Sequence, residues 1–435
     1  MRTLVLAAVL SAGLTRCASP DTPAGLPTGV RTDSTALVNE VRTEPFTPVP
    51  IRITLADLPA PFASESARKG PRVVDVPTDP VLRVPAGFRV QVWADGLDQP
   101  RWLALAPDGS VLLAESRGDR ILRLTDTDGD GVADARGVFA TAANGLSLPF
   151  GMAFAGAHVY LASTSEVRRY PYAAGQAAVE GRGERVADLP GRGYNQHWTR
   201  NVVATPAGDS LYVTVGSQSN ADAEPLPRAS VFKMALDGSG QETVSFGLRN
   251  PVGLAFHPAT GAPYVTVNER DGLGDDLVPD YLTRIGGGRF FGWPYAYLAP
   301  DRLDPRHLRD GQSERPDLAS RTTPPDVLFQ AHSAALGLAF VPMDAAWPAR
   351  YRGGALVAMR GSWNRSAGTG YKLAFVPFEN GRPTGAYEDL VTGFLIDPSG
   401  PTTWGRPVGV LALPDGSVLF TEEPNGRIYR LSVGP

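Results

Sequence analysis

The chain has 435 residues, of which 43% are hydrophobic and 20% charged, with 48 glycines and 40 prolines. This composition excludes a disordered chain and indicates a globular protein that is rich in turns. The net charge is −4 and no basic run dominates, so the sequence lacks the electrostatic footprint of a nucleic-acid-binding protein.

The N-terminus predicts export. Arg2 precedes an apolar stretch at residues 4–14, which is too short to span a bilayer and fits a signal peptide over residues 1–17. Cys17, the only cysteine, stands where bacterial lipoproteins attach their lipid, although Arg16 replaces the small residue of that pattern. We expect an exported protein, periplasmic or associated with the cell envelope. A membrane tether through lipidated Cys17 and a soluble mature protein are both left open.

Residues 18–87 predict no folded domain of their own. Residues 18–50 are rich in Pro, Thr, Ser and Asp without periodicity, which predicts a flexible linker. Residues 51–87 keep many prolines but carry apolar side chains such as Leu58, Phe62, Val73 and Val74. We therefore expect residues 51–87 to form an extended arm on the surface of the domain that follows.

A repeat occupies the rest of the chain. Residues 100–116 and 407–423 each read as an apolar strand, a Pro-Asp-Gly turn and a second apolar strand that ends in an acidic residue. With weaker copies there are six, which begin at Pro100, Pro149, Arg200, Pro251, Ala335 and Pro407. Six units of short antiparallel strands predict an all-β fold, a six-bladed β-propeller over residues 88–435 with four strands in each blade. A β-sandwich and a solenoid are the alternatives.

The two ends of the repeat region predict how the propeller closes. The last copy ends after its third strand, and the apolar residues 88–94 precede the first copy. We expect residues 88–94 to supply the outer strand of the last blade, because joining the two chain ends in one blade removes open sheet edges.

Polar and cationic residues stand just before the innermost strands, which meet at one mouth of a propeller channel. These residues are Gln99, Arg101, Asn144, Ser147, His197, Arg200, Arg249, Asn250, His332 and Arg406. Several cations facing one cavity favour an anionic ligand, and arginine suits bidentate contact with a carboxylate. Neighbouring tryptophans either wall in a planar ligand or pack in the core: Trp102, Trp198, Trp293, Trp363 and Trp404.

Two of the five histidines, His197 and His332, are expected on the mouth side. A histidine is the natural base for proton abstraction near neutral pH. We prefer His197 because Trp198 and Arg200 flank it, and because cations such as Arg200 and Arg249 would keep its ring neutral.

Two acidic loops suit calcium. Residues 268–276 combine four acidic side chains with two glycines, and carboxylates with free carbonyls suit a hard cation; a solvated acidic turn is the alternative. Residues 126–134 resemble the start of a helix–loop–helix calcium loop, but the twelfth position is Gly137 and a strand precedes the loop. The sequence has no Gly-rich phosphate loop after a strand, no Gly-x-Ser-x-Gly and no Cys/His metal spacing, so nicotinamide, flavin and zinc chemistry lack support.

Six segments together resemble the glucose/sorbosone dehydrogenase family of enzymes that use pyrroloquinoline quinone (PQQ). They are residues 196–201, 248–256, 268–276, 291–294, 361–365 and 404–408. The resemblance covers roughly residues 83–435 and implies a six-bladed propeller that holds PQQ and Ca²⁺ over its channel mouth. The glucose enzymes carry an arginine where this chain has Val408, and a glutamine near Asn144 and Ser147 where it has none. The sorbosone-like branch therefore fits better.

The resemblance also implies roles for single residues. His197 matches the general base for the substrate hydroxyl, Arg249 the arginine beside the quinone carbonyl, and Asn250 its neighbour in the site. Asp271 and Gly272 match the loop whose carbonyls hold calcium.

Further cofactor contacts are predicted among the arginines and tryptophans. Arg406 matches an arginine that binds a quinone carboxylate, and Arg360 is expected to replace a cation of the glucose enzymes. Arg200 and Trp404 are predicted to contact the cofactor from the polar ring.

The predicted function is oxidation of an aldose or sorbosone-like sugar by hydride transfer to PQQ, with an external electron acceptor. A calcium-dependent lactonase or esterase on the same fold and a non-catalytic sugar-binding propeller are the alternatives. The sequence leaves the oligomeric state open.

Overall fold

Asp-Gly-Ser turns connect the first two strands of the first and last repeats. In the computed structural model, which describes residue 37 and residues 39–191 and 197–434, Asp108 accepts hydrogen bonds from the backbone N–H and the hydroxyl of Ser110. Asp415 and Ser417 repeat this pattern. The glycine between each pair has a positive φ, +84° at Gly109, which only glycine adopts without strain. The turn chemistry therefore sets the register of both hairpins.

Six sheets contain four or more strands each in the described residues, and the strands pair antiparallel except for one parallel pair in sheet 3 and one in sheet 6. The first three sheets are built as follows. Sheet 1 contains Trp102–Leu105, Val111–Glu115, Arg120–Thr125 and Ala135–Ala140. Sheet 2 contains Met152–Ala155, His158–Ser163, Glu166–Pro171 and Glu184–Asp188. Sheet 3 contains Val202–Ala204, Ser210–Val215, Ser230–Ala235, Glu242–Phe246 and the short parallel strand Arg289–Phe290.

The other three large sheets follow the same order. Sheet 4 contains Asn250–Phe256, Pro263–Asn268, Tyr281–Arg284 and Val327–Leu328. Sheet 5 contains Ala335–Phe340, Ala355–Met359, Lys372–Val376 and Glu388–Val391. Sheet 6 contains Pro407–Ala412, Val418–Glu422, Arg427–Val433, Phe88–Ala94, Glu40–Phe46 and Val81–Pro85.

Small elements connect or flank these sheets. The short strands are Arg72–Val73, Leu308–Arg309, Gln312–Ser313, Phe378–Glu379, Arg382–Pro383, Leu395–Asp397 and Thr402–Thr403. The 3₁₀ turns are Leu55–Asp57, Ser116–Gly118, Ala142–Asn144, Pro305–His307 and Ala349–Tyr351, and the one short α-helix described is Pro316–Ala319. None of the helices in the described ranges has the length and apolar character needed to cross a bilayer.

The first strands of all six sheets surround one cavity of about 390 Å³. Side chains such as Leu103, Phe154 and Leu338 line it. The first strand of each sheet also packs against a strand of the preceding sheet, and the first strand of sheet 1 packs against that of sheet 6. The hydrophobic core lies between neighbouring sheets, as expected for strands that are apolar on both faces.

Sheet 6 joins the two ends of the described chain. Phe88–Ala94 pairs antiparallel with Arg427–Val433. It is not the outermost strand, because Glu40–Phe46 pairs with it and Val81–Pro85 pairs in parallel with Glu40–Phe46. The sheet therefore has six strands rather than the predicted four.

The linker prediction for residues 18–50 is wrong for residues 40–46. This strand is ordered because Val41, together with Leu82 and Val84 of its partner strand, is buried against Trp347 and its neighbours. The compact unit accordingly begins at residue 37 rather than at residue 88. The predicted signal peptide and residues 18–36 lie outside the described residues.

Candidate functional site

A cavity of about 620 Å³ lies where loops between the strands of several sheets meet. This volume is within the range of about 300–1,000 Å³ that is usual for small-molecule sites. Six arginines and four acidic side chains line the wall: Arg68, Arg101, Arg117, Arg249, Arg306, Arg360, Glu269, Asp271, Asp280 and Glu423. Among the residues predicted at the channel mouth or at the cofactor and metal sites, eight line this cavity: Arg101, His197, Arg249, Asn250, Asp271, Gly272, His332 and Arg360. The structure therefore brings these eight together.

His197 has its ring orientation fixed by Ser217. Its Nδ1 lies 2.9 Å from both the carbonyl oxygen and the hydroxyl of Ser217. Because the carbonyl can only accept, Nδ1 carries the proton in the neutral ring and the lone pair is on Nε2. A Cβ at Gly216 would lie 2.7 Å from His197 Cβ and 2.4 Å from Asn250 Oδ1, so glycine permits the close approach of these two side chains.

The environment of His197 keeps its ring neutral. Burial, followed by the charge of Arg249, holds the pKa of His197 well below its ordinary value of 6.5, with smaller contributions from Arg200 and Arg228. The backbone of His197 has φ +54°, a left-handed conformation that is uncommon outside glycine and clusters at functional sites. A half-buried, neutral imidazole in a cavity wall is suited to accept a proton.

Arg200 lies behind His197 rather than on the cavity wall. Its fully buried guanidinium donates to the carbonyl oxygens of Pro190, His197 and Thr199 at 2.6–2.8 Å. Burial and the charge of Arg228 lower the pKa of Arg200 to about 9. Arg200 therefore holds the backbone that carries His197. Gln196, the first residue of the segment 196–201 named in the resemblance, lies outside the described residues.

Arg249 is enclosed by five oxygen acceptors. Its guanidinium donates to Asn220 O and Oδ1 at 3.0 and 2.8 Å, to Asn268 O and Glu269 O at 3.3 and 2.6 Å, and to Asp271 Oδ2 at 3.0 Å. A guanidinium has five N–H groups, so the protein satisfies all of them. Arg249 acts on its surroundings through its charge, while every N–H is committed to the loops around it.

The Asp271 loop is likewise held by protein donors. Its carboxylate accepts from Arg249 and from Asn364 Nδ2 at 2.7 Å, and its carbonyl oxygen accepts from Asn220 Nδ2 at 2.9 Å and Arg306 Nη1 at 3.0 Å. His332 Nε2 donates to Gly274 O at 3.0 Å, and its Nδ1 lies 3.1 Å from Asn364 Nδ2. In the neutral ring both nitrogens of His332 are thus engaged, so its lone pair is not directed at a substrate.

Asp280 links the two loops that carry Asp271 and His332. Its two carboxylate oxygens accept the backbone N–H groups of Glu269 at 2.8 Å and Ala334 at 2.7 Å. Burial raises the pKa of Asp280 to about 7, with a further contribution from the charge of Asp271. Asp280 therefore positions both loops from inside the wall.

A cluster of arginines around Glu423 forms another part of the wall. The carboxylate of Glu423 contacts Arg101 Nη1 at 2.9 Å and Arg360 Nε at 2.6 Å. Burial alone would raise the pKa of Glu423, but the charges of Arg101 and Arg360 lower it to about 2. Two guanidinium groups share one carboxylate, which leaves net positive charge on this wall and favours an anionic ligand.

Arg406 and Trp404 stand behind this cluster and are not part of the cavity lining. Arg406 donates to the carbonyl oxygens of Arg360 at 3.1 Å and Gly361 at 3.0 Å, and burial lowers its pKa to about 9. Trp404 donates to Gly393 O at 2.8 Å and packs on Phe394. Arg406 supports the backbone of Arg360, and Trp404 belongs to the core.

The neighbouring residue Glu422 provides a test of how burial shifts the pKa of an acidic side chain in this region. Burial raises the pKa of Glu422 to about 8, although the backbone N–H groups of Arg406 and Asn425 favour its charged form. A carboxyl with a raised folded pKa stabilises the fold below its unfolded value near 4.5, and this contribution is lost as pH rises towards 8.

We expect the free energy of unfolding of the wild type to fall relative to that of Glu422→Gln as the pH rises from 5 to 8. Urea unfolding at several pH values measures this slope. Glu423→Gln is the matched control, because Glu423 stays charged over this range and should give no such slope. Equal slopes for the two variants would contradict the assignment.

The sequence missed several residues that build the site. Asn220, Asp280, Arg306, Asn364 and Glu423 hold or extend the predicted residues, yet none of them stands just before an innermost strand. Asn364 and Glu423 had a signal, since both lie inside quoted segments or repeats. Of the tryptophans predicted either to wall in a ligand or to pack in the core, Trp198 and Trp363 line the cavity, whereas Trp293 and Trp404 do not. Trp102 lines the cavity between the first strands.

The second acidic loop is separate from this cavity. The carboxylates of Asp126, Asp128 and Asp130 lie within 4.8 Å of one another, the one such group of acidic, histidine or cysteine side chains in the part of the chain the structure covers. Asp126 accepts the backbone N–H groups of Gly129 and Gly131 at 2.8 and 2.9 Å. These contacts fix the conformation of the loop between Asp126 and Gly131.

Solved structures of other proteins share the fold of this chain. A structure of the calcium form of a Trichoderma reesei protein of carbohydrate-active enzymes family AA12 shares 21% identity and a TM-score of 0.68, over 81% of this chain and 97% of the other. The holo form of the PQQ domain of Coprinopsis cinerea pyranose dehydrogenase shares 20% identity and a TM-score of 0.67, over 83% and 99%. An uncharacterised Borreliella burgdorferi protein is 27% identical over 361 residues, which are 80% of this chain and 90% of that protein.

The family assignment rests on a longer match. The model of the TrAA12-like family matches residues 82–279 and 309–433, well over half of the chain and including all eight cavity residues predicted from the sequence. The protein therefore belongs to the TrAA12-like family.

Proposed function

We propose that the protein is a PQQ-dependent sugar dehydrogenase that oxidises an aldose. The observation that carries this proposal is the pairing of a half-buried, neutral His197 with an arginine-rich wall in one cavity. A base and an anion-binding wall are what oxidation of a hydroxyl by an anionic quinone requires. The PQQ and sugar-oxidising character of the similar pyranose dehydrogenase domain supports it.

We infer that the six sheets are the blades of one closed six-bladed propeller. The first strands of all six surround the central cavity of about 390 Å³, and sheet 6 contacts sheet 1. Phe88–Ala94 pairs with Arg427–Val433, so the sixth sheet contains strands from both ends of the repeat region. This arrangement explains why residues from different sheets share the main cavity.

The wall fits a quinone that carries carboxylates. Arg101 and Arg360 share Glu423 and retain net positive charge, and Asn250 Oδ1 and Thr199 Oγ1 are buried without hydrogen-bond partners in the described part of the chain. Such orphaned atoms favour a ligand that pairs with them. Arg360, Arg101 and Asn250 would hold the quinone, which supplies a two-electron acceptor for hydride when bound.

The chain's own residues then act on the sugar. His197 Nε2 accepts the proton of the hydroxyl that is oxidised, while Ser217 keeps Nδ1 protonated and the ring oriented. Arg249 lowers the pKa of His197 and keeps it in the basic form. Trp363, which is 48% exposed on the wall, offers an apolar face to a sugar ring.

The surroundings of Asp271 and Gly272 in the described part of the chain are poorly suited to bind calcium. The carbonyl oxygen of Asp271 already accepts from Asn220 and Arg306, and the guanidinium of Arg249 fills the oxygen cradle beside it. A cation there would face two arginine charges. We assign no step to a metal and expect quinone affinity to be equal with calcium and with chelator. Affinity that falls with chelator would contradict this reading.

The cellular setting remains as the sequence predicts it. We propose that residues 1–17 direct export to the periplasm or cell envelope, with Cys17 as the candidate for lipid attachment. Electrons would leave to an external acceptor, because the proposed reaction reduces a bound quinone that must be reoxidised. Aldoses are proposed as the substrate class, and the sorbosone-like branch remains a prediction.

The proposal is tested by adding PQQ to the protein and following dye reduction with a panel of aldoses. We expect dye reduction that requires both the quinone and a sugar. Ester or lactone hydrolysis without dye reduction would instead support the lactonase alternative, and sugar binding without either reaction would support a sugar-binding propeller.

Arg360→Ala is expected to weaken PQQ binding by about 1.5–3 kcal/mol, the usual contribution of hydrogen bonds to charged groups. The measurement is a fluorescence or calorimetric titration of the full chain. Arg284→Ala is the matched control, because it removes the same charge from an exposed strand end outside the cavity. Equal affinities for both variants would remove Arg360 from the site.

A further inference from the structure

The N-terminal arm reaches the main cavity. Ser66, Ala67 and Arg68 line its wall beside the Asp271 loop. These residues precede the family match, which begins at residue 82. The cavity of this protein therefore has a wall segment in addition to those of the matched region.

The arm is fixed to the Asp271 loop by backbone contacts. Phe62 N donates to Leu273 O at 2.7 Å, and the hydroxyls of Ser66 and Ser64 accept from Gly274 N at 3.0 Å and Asp275 N at 2.9 Å. A Cβ at Gly274, where φ is +128°, would lie 3.0 Å from Ser64 Oγ. Glycine at this position thus allows the arm to lie close to the loop.

The segment that carries Arg68 is held on both sides. Ala67 N lies 3.4 Å from Asp275 Oδ1, and Lys69 Nζ donates to the carbonyl oxygens of Ser366 and Ser399 at 3.1 Å. The backbone of Arg68 is therefore positioned by its neighbours, while its own side chain remains exposed.

Arg68 differs from other arginines of the wall in its pairing. Arg249, Arg306 and Arg360 each contact a carboxylate. Arg68 makes no hydrogen bond or ion pair with any residue of the described ranges 39–191 and 197–434. An unpaired guanidinium at a cavity wall attracts an anionic group and can bind a carboxylate through two parallel hydrogen bonds.

We propose that residues 62–69 form part of the substrate site and that Arg68 selects sugars that carry a carboxylate, the uronic acids. Oxidation of a uronic acid by this protein rests on the proposed function, whereas binding of its carboxylate to Arg68 does not. The sugar hydroxyl is presented to His197 while the carboxylate pairs with Arg68 on the arm-derived part of the same cavity wall. A neutral aldose lacks this second anchor.

The test compares wild type, Arg68→Gln and Arg68→Lys with D-glucuronate and D-glucose. Calorimetry on the full chain measures binding, and dye reduction with added PQQ measures kcat/KM. For Arg68→Gln we expect D-glucuronate affinity and kcat/KM to fall by about 10- to 100-fold, the scale of a charge-assisted contact, with D-glucose nearly unchanged. Arg68→Lys should keep most of the D-glucuronate preference because it keeps the charge.

The outcomes separate this inference from the proposed function. Equal losses for both sugars, or D-glucuronate binding that does not depend on Arg68, would overturn the inference even if D-glucose is oxidised. Arg68-dependent binding of D-glucuronate supports it, also in a protein that oxidises neither sugar; that second result would count against the proposed function alone.

Discussion

His197→Gln is expected to lower the rate of sugar oxidation by about 10²–10⁴-fold, the usual contribution of a positioned general base. The structure gives three reasons: His197 lines the cavity, Ser217 fixes its tautomer, and burial together with the charge of Arg249 holds its pKa low. Glutamine cannot accept the hydroxyl proton. Because the pKa of His197 lies well below 6.5, the acid limb of the wild-type rate profile should fall below the ordinary histidine range.

His158→Gln is the matched control for this prediction. His158 begins a strand of sheet 2 outside the cavity lining, so its replacement should leave the rate unchanged. His332→Gln should cost less than His197→Gln, since both nitrogens of His332 are engaged with Gly274 and Asn364. A wild-type rate in His197→Gln, with normal quinone binding, would remove His197 from the catalytic role.

Arg270→Met is expected to destabilise the protein by about 3–5 kcal/mol, because removing one partner of a buried ion pair leaves uncompensated charge. Arg270 is fully buried and donates to Glu269 Oε2 and Asp304 Oδ2, both at 2.9 Å, and to the carbonyl oxygens of Pro294 and Ala296. Burial opposes its charge, but Glu269 and Asp304 raise its pKa, so it is charged in the fold.

The same substitution should affect the site, since Arg270 precedes Asp271 in the loop that contacts Arg249. Quinone binding should therefore weaken together with stability, measured by denaturant unfolding and by titration. Arg315→Met is the control: Arg315 and Asp317 form an exposed pair at 2.8 Å, which contributes little. A stable Arg270→Met protein would show that the loop does not depend on this ion pair.

The repeat predicted much of the fold because its signals are local. Pro-Asp-Gly turns and runs of apolar residues mark strand ends directly, and the structure has strands at all six copies. The strand Glu40–Phe46 gave no comparable signal. Its exposed and half-buried positions are mostly polar, and Val41 is its one buried residue, so the strand depends on pairing with residues distant in sequence.

Site residues were predictable from the sequence where the position of the backbone alone decides whether a residue lines the cavity. His197 and Arg249 stand before innermost strands, Asn250 begins one, and all three line the cavity. For a long side chain, the backbone position does not determine where the charged group lies. The guanidinium groups of Arg406 and Arg200 bind carbonyl oxygens behind the wall. Arg68 reaches the cavity from a segment whose place depends on the completed fold, so sequence position alone could not assign it.

Anaerobic mixing of the PQQ-loaded protein with an excess of aldose, without any dye, tests the central claim most directly. The account predicts that the absorbance of the bound quinone changes to that of its reduced form in a single turnover, and that His197→Gln slows this change by about 10²–10⁴-fold. A bound quinone whose spectrum does not respond to any sugar of the panel, including D-glucose and D-glucuronate, would contradict it.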